Sequence, residues 1–528
     1  MSIHRIGRGN RRDAGTLQSR MRARSGGFLN YELIAAVDLG SNSFRLQVGR
    51  IVGNQIYPLD SLKESIRLAA GLTSQRTLDS ASQLRGLEAL GRFGERLRGF
   101  LPGAVRAVAT NTLRVAKNAP QFLAQAEAAL GFPIEVIAGR EEARLIYLGV
   151  AHTLANPGTQ QLVVDVGGGS TELIIGRNFA PLQLESLYMG CVSYSLKYFP
   201  QGQISKQSFK EAELAARKEL QTIVAAYRAT GWVEAVGSSG TAKAIVDLLE
   251  LNQLNDDAAV GITLGGIERL KTHLFRAGDV NSLRLEGLRA DRMPVLPGGL
   301  CILAAVFKEF DLQHMTFSEG ALRLGVLYDL LGRYHHEDQR EETVSQFMQR
   351  YAVDRRQAAR VSQTALALLQ QMCPDEDLEE QADAQFLLWA ARLHEIGISV
   401  AHSSYHKHSA YILANADMPG FSKRDQGRLS RMVLAHRGKL DRIQAITPEP
   451  RDWRLIFCLR LAALLHRARD DLPLAQIEVA ATERGFRLGV DDAWLAASPL
   501  TAAALEEEAK QWAGLNMELR VRREKAKL

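Results

Sequence analysis

The chain has 528 residues, 46% hydrophobic and 23% charged, with a formal net charge of +6; it is too long for one ordinary core and too apolar for a disordered chain. Its four cysteines, Cys191, Cys301, Cys373 and Cys458, are scattered without C-x-x-C spacing, which argues against a disulfide framework or a zinc site and for reduced thiols. No apolar run approaches the roughly 18–20 residues that cross a bilayer, and no secretory apolar core opens the chain, so a cytoplasmic protein is expected.

Residues 1–26 carry seven arginines against one acid, Asp13, among Gly and Ser. This reads as a disordered basic arm over 1–30. It is either a plain solvated tail or an element drawn to a polyanion or, by peripheral contact, to an acidic membrane surface. No specific nucleic-acid partner is expected.

From Tyr31 short β-type runs follow: "LIAAVDLG", "SFRLQVGRIVG" and "QIYPLDSLKESIRLA". A helix ("ASQLRGLEALGRFGERLRGF"), a strand ("AVRAVAT"), a helix ("APQFLAQAEAALG"), the strand "IEVI" and a helix through Glu141 to Thr153 complete an α/β unit over 31–150. The pattern then restarts over 151–331. "LVVDVGGGSTELIIG" repeats the strand, Asp-x-Gly, small-residue turn and strand of "AAVDLGSNSFRLQVG". Helices are expected from Ser205 to Thr230, and "VEAVGSSG" as a strand running into a third glycine turn. Residues 332–470 carry Ala, Leu, Gln and Arg at helical spacing, and 471–528 read as a small α/β tail.

Gly167, Gly168 and Gly169 permit close ligand approach, and successive amides in such a turn form an anion nest. A P-loop is excluded because no Gly-Lys-Ser/Thr follows. A dinucleotide fold is excluded because a strand, not a helix, comes next. A tight hairpin turn without function is the bland alternative. The second copy at Asp38-Leu39-Gly40-Ser41 and the third turn, Gly237-Ser238-Ser239-Gly240-Thr241, weigh against it.

Asp38 and Asp165 each end an apolar strand before a turn, where Mg²⁺ bridging to phosphate suits a carboxylate and turn capping is the alternative. Glu172 opens the outgoing strand and can face the cleft as a water-orienting group. Glu141 and Glu142 begin a helix, where acids are ordinarily dipole partners.

Together "AAVDLGSNSFRL", "ATNTLR", "GREEARLIYLGVAHT", "VVDVGGGSTELIIG", "MGCVSYSLKYFP", "GSSGTAKA", "PGGLCIL" and "EGALRLGVLYD" resemble the exopolyphosphatase / guanosine pentaphosphate phosphohydrolase (Ppx/GppA) family. That family lies within the actin-like, sugar-kinase-like and Hsp70-like superfamily. The resemblance implies two ribonuclease-H-like α/β domains, an all-α HD-like domain and a small α/β C-terminal domain. It also implies hydrolysis of terminal phosphoanhydrides at the cleft between the first two.

On the same resemblance Glu142 falls on the water-activating base, with Glu172 and Asp165 as its catalytic partners and Asp38, Asp165 and Glu172 around Mg²⁺. Gly40, Ser41, Asn42, Ser43, Gly167 to Gly169, Ser170, Thr171, and Gly237 through Ser238, Ser239, Gly240 and Thr241 would cradle phosphate beside Asp38. Arg45 and Arg323 stand where the family places basic groups, and Asn111 and Arg114 lie in a family segment. K⁺ stimulation and a homodimer are family expectations.

The HD-type metal ligands depart from the pattern at Gln357, at the pair His394-Glu395 and at His466. The histidines His402, His406, His408 and His436 therefore read as polar surface or a remnant cleft. Inorganic polyphosphate is the first substrate expectation, from the complete Gly-Gly-Gly and the Arg-rich arm. Guanosine pentaphosphate (releasing the tetraphosphate) is the alternative; an actin-like ATPase and an alarmone sensor are more distant ones.

Overall fold

The computed structural model describes residues 32–524 apart from 54, 157, 256–259, 335–337, 374–377, 441–442, 444–450 and 471–476. The basic arm therefore lies outside the described residues.

Short aliphatic, β-branched runs separated by polar turns pair as strands. β1 (Leu33–Leu39), β2 (Phe44–Val52), β3 (Gln55–Glu64), β4 (Val105–Ala109) and β5 (Ile134–Val136) form one sheet in the order β3-β2-β1-β4-β5. β1, β2 and β3 are antiparallel, while β4 and β5 continue from β1 in parallel. The second sheet comprises β6 (Gln161–Val166), β7 (Thr171–Arg177), β8 (Ala180–Leu187), β9 (Glu234–Ser238), β10 (Ile262–Thr263) and β11 (His314–Phe317). Its order is β10-β11-β9-β6-β7-β8, again with an antiparallel trio on one flank of the leading strand and the parallel β9 and β11 on the other, edged by the short antiparallel β10. The sequence repeat is thus a repeat of topology.

Both faces of the parallel core strands β4, β6 and β9 are covered, as parallel neighbours require, while the edge strand β3 is largely exposed. The helices Ser80–Arg96 and Ala119–Leu130 cover the outer face of the first sheet through Ala89, Phe93, Phe122 and Ala126. The helices Lys206–Leu220, Ser239–Leu251 and Leu296–Phe310 cover the second. Between the sheets lies a shared layer in which Tyr147, Val150, Val326 and Leu327 pack with Ala36, Val108, Val163 and Val236. It is built by the helices Gly139–Ala151 and Leu322–Tyr334. They cross closely: a Cβ on Gly325 would collide with the Leu145 carbonyl, and one on Gly149 would lie 2.3 Å from that of Ala321.

One segment corrects the hydropathy reading. Met293–Phe310 is long and apolar enough to cross a bilayer by length and composition, but it is largely buried inside the protein, as the core helix of the second half. Beyond it, helices from Gln339 to Leu465 enclose their own core around Trp389, Leu413, Met432 and Phe457. A three-stranded sheet, β12 (Ile477–Thr482), β13 (Gly485–Asp491) and β14 (Glu518–Glu524), joins that core, with Phe457 stacked on Phe486 at 4.1 Å.

Candidate active site

Cross-strand register decides which side chains share a face. On the first sheet Asp38 lies opposite Arg45, and Arg45 opposite Lys63, so one row runs Asp38–Arg45–Lys63 across β1, β2 and β3. On the second sheet the row is Ser238–Asp165–Glu172–Ser186 across β9, β6, β7 and β8. The duplicated hairpins therefore put an arginine and a glutamate at equivalent positions, Arg45 and Glu172. Both rows line one cleft of about 430 Å³ between the two halves, with Ser186 and Ser238 behind it.

The two turns meet. Gly167 N–H donates to the Ser170 carbonyl at 2.9 Å and closes the glycine turn. A Cβ on Gly168 would come within 2.9 Å of Ser41 Cβ, and one on Gly169 within 2.5 Å of Asn111 Oδ1. Ser41, Asn42 and Gly168 line the cleft, and their N–H groups find no acceptor among the described residues, as an anion nest requires. The third turn is not a turn. β9 ends at Ser238 and the helix Ser239–Leu251 starts at once, with Ser239 at φ +83°, a strained value for a residue with a Cβ. Ser239 and Thr241 hydroxyls donate to the Val166 carbonyl at 3.1 and 2.8 Å, tying that helix end to the glycine turn.

Gly40, Ser41, Asn42, Ser43, Gly167, Gly168, Ser170, Ser239, Gly240, Thr241, Arg45 and Arg323 all line the cleft, with the acids Asp38, Glu142, Asp165 and Glu172. Four expected cradle residues stand behind that lining. Thr171 donates to the Met189 carbonyl at 2.6 Å, and Ser238 donates to Asp165 Oδ2 at 2.8 Å. Gly237 sits within β9, and Gly169 packs on Asn111. Asn111 packs against Gly169 while its Nδ2 is buried without a hydrogen-bond partner among the described residues, whereas Arg114 reaches Glu142 Oε2 at 3.2 Å.

Burial pushes the Glu142 carboxyl up to about 7, with Arg114 opposing and Asp38 and Asp165 adding to the rise. Glu172 is raised well above the carboxylate range by burial, then by the charges of Glu142 and Asp165, against hydrogen bonds from Ser170 and Ser186. The Ser186 hydroxyl donates to Glu172 Oε1 at 2.7 Å. Asp165 is pushed up to about 6 by burial, with Ser238 opposing. Asp38 is raised by burial, against Arg323 and Arg45. Arg45 is lowered to about 10 by burial and then by Arg323, so it stays cationic at neutral pH.

Asp38 Oδ1 is buried without a hydrogen-bond partner among the described residues. An orphaned carboxylate oxygen beside a second buried acid fits a hard cation. Among the described residues, however, no three His, Cys, Asp or Glu side chains group closely enough to hold a metal ion by themselves. The expected trio Asp38, Asp165 and Glu172 thus does not form a closed cage. A cation here would draw its other ligands from phosphate and water.

Sequence reasoning missed Lys63, Lys243, Asp247, Arg289 and Arg292, which also line the cleft. They sit in aperiodic or solvent-facing stretches and become neighbours only through the fold. In the helical region Gln357 Nε2 donates to the His466 carbonyl at 2.8 Å, and His466 Nε2 pairs with the Thr364 hydroxyl at 2.6 Å. His436 is buried against His394 and Tyr405, so of the four histidines read as polar surface or remnant cleft it belongs to the interior.

The Ppx/GppA phosphatase family profile matches residues 47–334, and that for Ppx/GppA phosphatase, domain III, matches 339–509. The chain belongs to the Ppx/GppA phosphatase family. It is 38% identical over 490 residues to the guanosine-5'-triphosphate,3'-diphosphate pyrophosphatase of Pseudoalteromonas translucida (strain TAC 125), covering 92% of this chain and 97% of that protein. A like-named protein of Pseudoalteromonas atlantica (strain T6c / ATCC BAA-1087) is 37% identical, covering 90% and 95%. An exopolyphosphatase from Cytophaga hutchinsonii ATCC 33406 shares the fold at a TM-score of 0.52 and 23% identity, over 57% of this chain and 98% of that one.

In this Ppx/GppA member the third glycine abuts Asn111, whose Oδ1 a Cβ there would meet at 2.5 Å. Gly169→Ala is expected to lower kcat/KM for guanosine pentaphosphate and for polyphosphate by the same factor. A change of more than about tenfold in their ratio, one full factor in discrimination, would contradict this.

Proposed function

We propose that the chain hydrolyses the terminal 5′-phosphoanhydride of guanosine pentaphosphate, releasing orthophosphate and guanosine tetraphosphate. The observation that carries this is the near-full-length similarity to relatives bearing that substrate's name. Gly169 and the Arg-rich arm are the sequence features that point to polyphosphate; in the structure Gly169 packs against Asn111, and the arm lies outside the described residues.

The cleft adds support. Beyond the Ser239–Thr241 helix end, Ala244, Leu248, Leu288 and Phe317 make an apolar wall, with Lys243 and Asp247 beside it. Residue 247 lies about 10 Å down the helix from residue 240 at about 1.5 Å per residue. That reach suits a nucleoside placed beyond its phosphates; a bare phosphate chain has no use for an apolar wall.

In this reading Arg45, Arg323, Arg292 and Lys63 take the phosphate oxygens, with the turn amides of Ser41, Asn42 and Gly168. Glu142 accepts a proton from water, the water oxygen bonds to the terminal phosphorus, and the bond from phosphorus to the bridging oxygen breaks. Two buried acids near each other do not both ionise readily. Arg114 favours ionised Glu142, so Glu172 keeps its proton and holds the water by hydrogen bonding. Asp38 and Asp165 would hold Mg²⁺, which neutralises phosphate charge when bound; K⁺ stimulation belongs to the same proposal.

Activity then needs deprotonated Glu142 and falls as pH drops through the acidic limb of kcat/KM. Arg114→Ala removes the charge that lowers the Glu142 pKa, so that limb should move upward by about one pH unit. An unmoved or downward limb would contradict the assignment. Product analysis tests the reaction: orthophosphate and guanosine tetraphosphate should appear one to one, and pyrophosphate release would overturn it.

A further inference from the structure

The adjacent acids Glu141 and Glu142 begin the same helix and serve different neighbours. Glu142 lines the cleft. Glu141 is buried and accepts from Arg144 Nε and Nη2, both at 2.8 Å, and from the Gly420 backbone N–H at 2.8 Å. Gly420 belongs to the loop between the helices Tyr405–Asn415 and Lys423–Ala435, in the helical region.

The grip on that loop is double. The Gly420 carbonyl accepts from Arg333 Nη2 at 3.3 Å. Arg333 also reaches Asp329 at 3.1 Å, and Asp329 pairs with both Arg106 and Arg144 beneath the first sheet. One residue ahead of Glu141, Arg140 Nη1 donates to Asp417 Oδ2 at 3.2 Å. The same loop therefore holds both residues that precede Glu142.

The loop is itself fixed. Gly420 has φ +86°, and a Cβ there would lie 2.9 Å from Arg340 Cγ. The Thr343 hydroxyl donates to the Pro419 carbonyl at 2.7 Å. By contrast, the helix Gly139–Ala151 has Ala138 as its N-cap, which supplies no side-chain cap, so its first turn is held from outside: by Arg114 on the Ile137 carbonyl and Glu142, by Glu185 on Arg140, and by this loop on Arg140 and Glu141.

We infer that the Asp417–Gly420 loop of the helical region restrains this first turn alongside Arg114, and that Glu141 is a positioning residue through which this loop sets the aim of Glu142. Displacing a reacting group by about 1 Å costs on the order of a hundredfold in rate without a matching loss of binding. The inference rests on Glu142 being the base, which Glu142→Gln checks separately: retained turnover in that variant removes the base, not the loop contact.

The test is steady-state hydrolysis of guanosine pentaphosphate by the full chain, with polyphosphate substituted if the wild-type chain leaves the nucleotide untouched. Glu141→Ala should lower kcat about thirtyfold with KM within about twofold. Glu141→Gln, which keeps an acceptor for Gly420 N–H, should recover to within about fivefold of wild type. A folded Glu141→Ala with kcat within twofold of wild type, a parallel change in KM, or a Gln variant no better than Ala would each overturn it. If Glu141→Ala does not fold, Asp417→Ala on the exposed loop decides. A threefold or larger fall in kcat at unchanged KM is expected, and no change overturns the inference.

Discussion

Glu142→Gln should lower kcat by about a thousandfold while KM moves little, measured as phosphate release under saturating guanosine pentaphosphate. General-base contributions of about 10²–10⁴ set that scale, and a thousandfold is about 4 kcal/mol of transition-state stabilisation. The reason is local. Gln is isosteric with Glu and its amide oxygen still accepts from Arg114, so the cleft keeps its shape, but no basic oxygen remains to take the proton from water. The neighbouring acids cannot substitute. Burial and the charges of Glu142 and Asp165 push Glu172 towards its protonated form, and Asp165 is tied to the Ser238 hydroxyl. Full activity in Glu142→Gln would mean that the base is another group.

Arg45→Ala should lower kcat/KM by about 10²–10³, the scale for removing one donor from developing negative charge in a water-poor site. Arg45 occupies the position on β2 that Glu172 occupies on β7, opposite Asp38 and next to Lys63 in the row. Arg323, held by Gln47 Oε1 at 3.3 Å, is its nearest help. With Arg45 gone, Asp38 and Asp165 lose a countercharge, so phosphate meets a more acidic cleft. Arg45→Lys should recover only part of the loss, because a point charge does not reproduce the planar fork. A loss below about tenfold in Arg45→Ala would place the phosphate chain elsewhere.

The hairpins were legible because alternation and the Asp-x-Gly turn are local signals, and both jaws of the cleft follow from them. Asp38, Asp165 and Glu172 were legible for the same reason: each sits at a strand end whose register is fixed by its own hairpin. Other features were not. "GSSGT" reads as a turn because Ser and Gly disfavour helix interiors, yet hydroxyl bonds to Val166 start a helix there. The short helix Cys191–Tyr198 also went unread; its N-cap, Gly190, packs directly on Gly168, a contact only the fold creates. The division of labour between Glu141 and Glu142 depends on Gly420, far along the chain, and no local pattern carries it. Gly169 gives the sharpest case. As sequence it pointed to a long phosphate chain; in the structure it makes room for Asn111.

Substrate choice is tested most directly by comparing kcat/KM of the full chain for guanosine pentaphosphate with that for long-chain inorganic polyphosphate, each with Mg²⁺ present. The predicted result is a preference for the nucleotide of at least about tenfold per phosphate end, as discrimination by a site built for one ligand requires. A preference for polyphosphate, with the nucleotide released unhydrolysed, would contradict it.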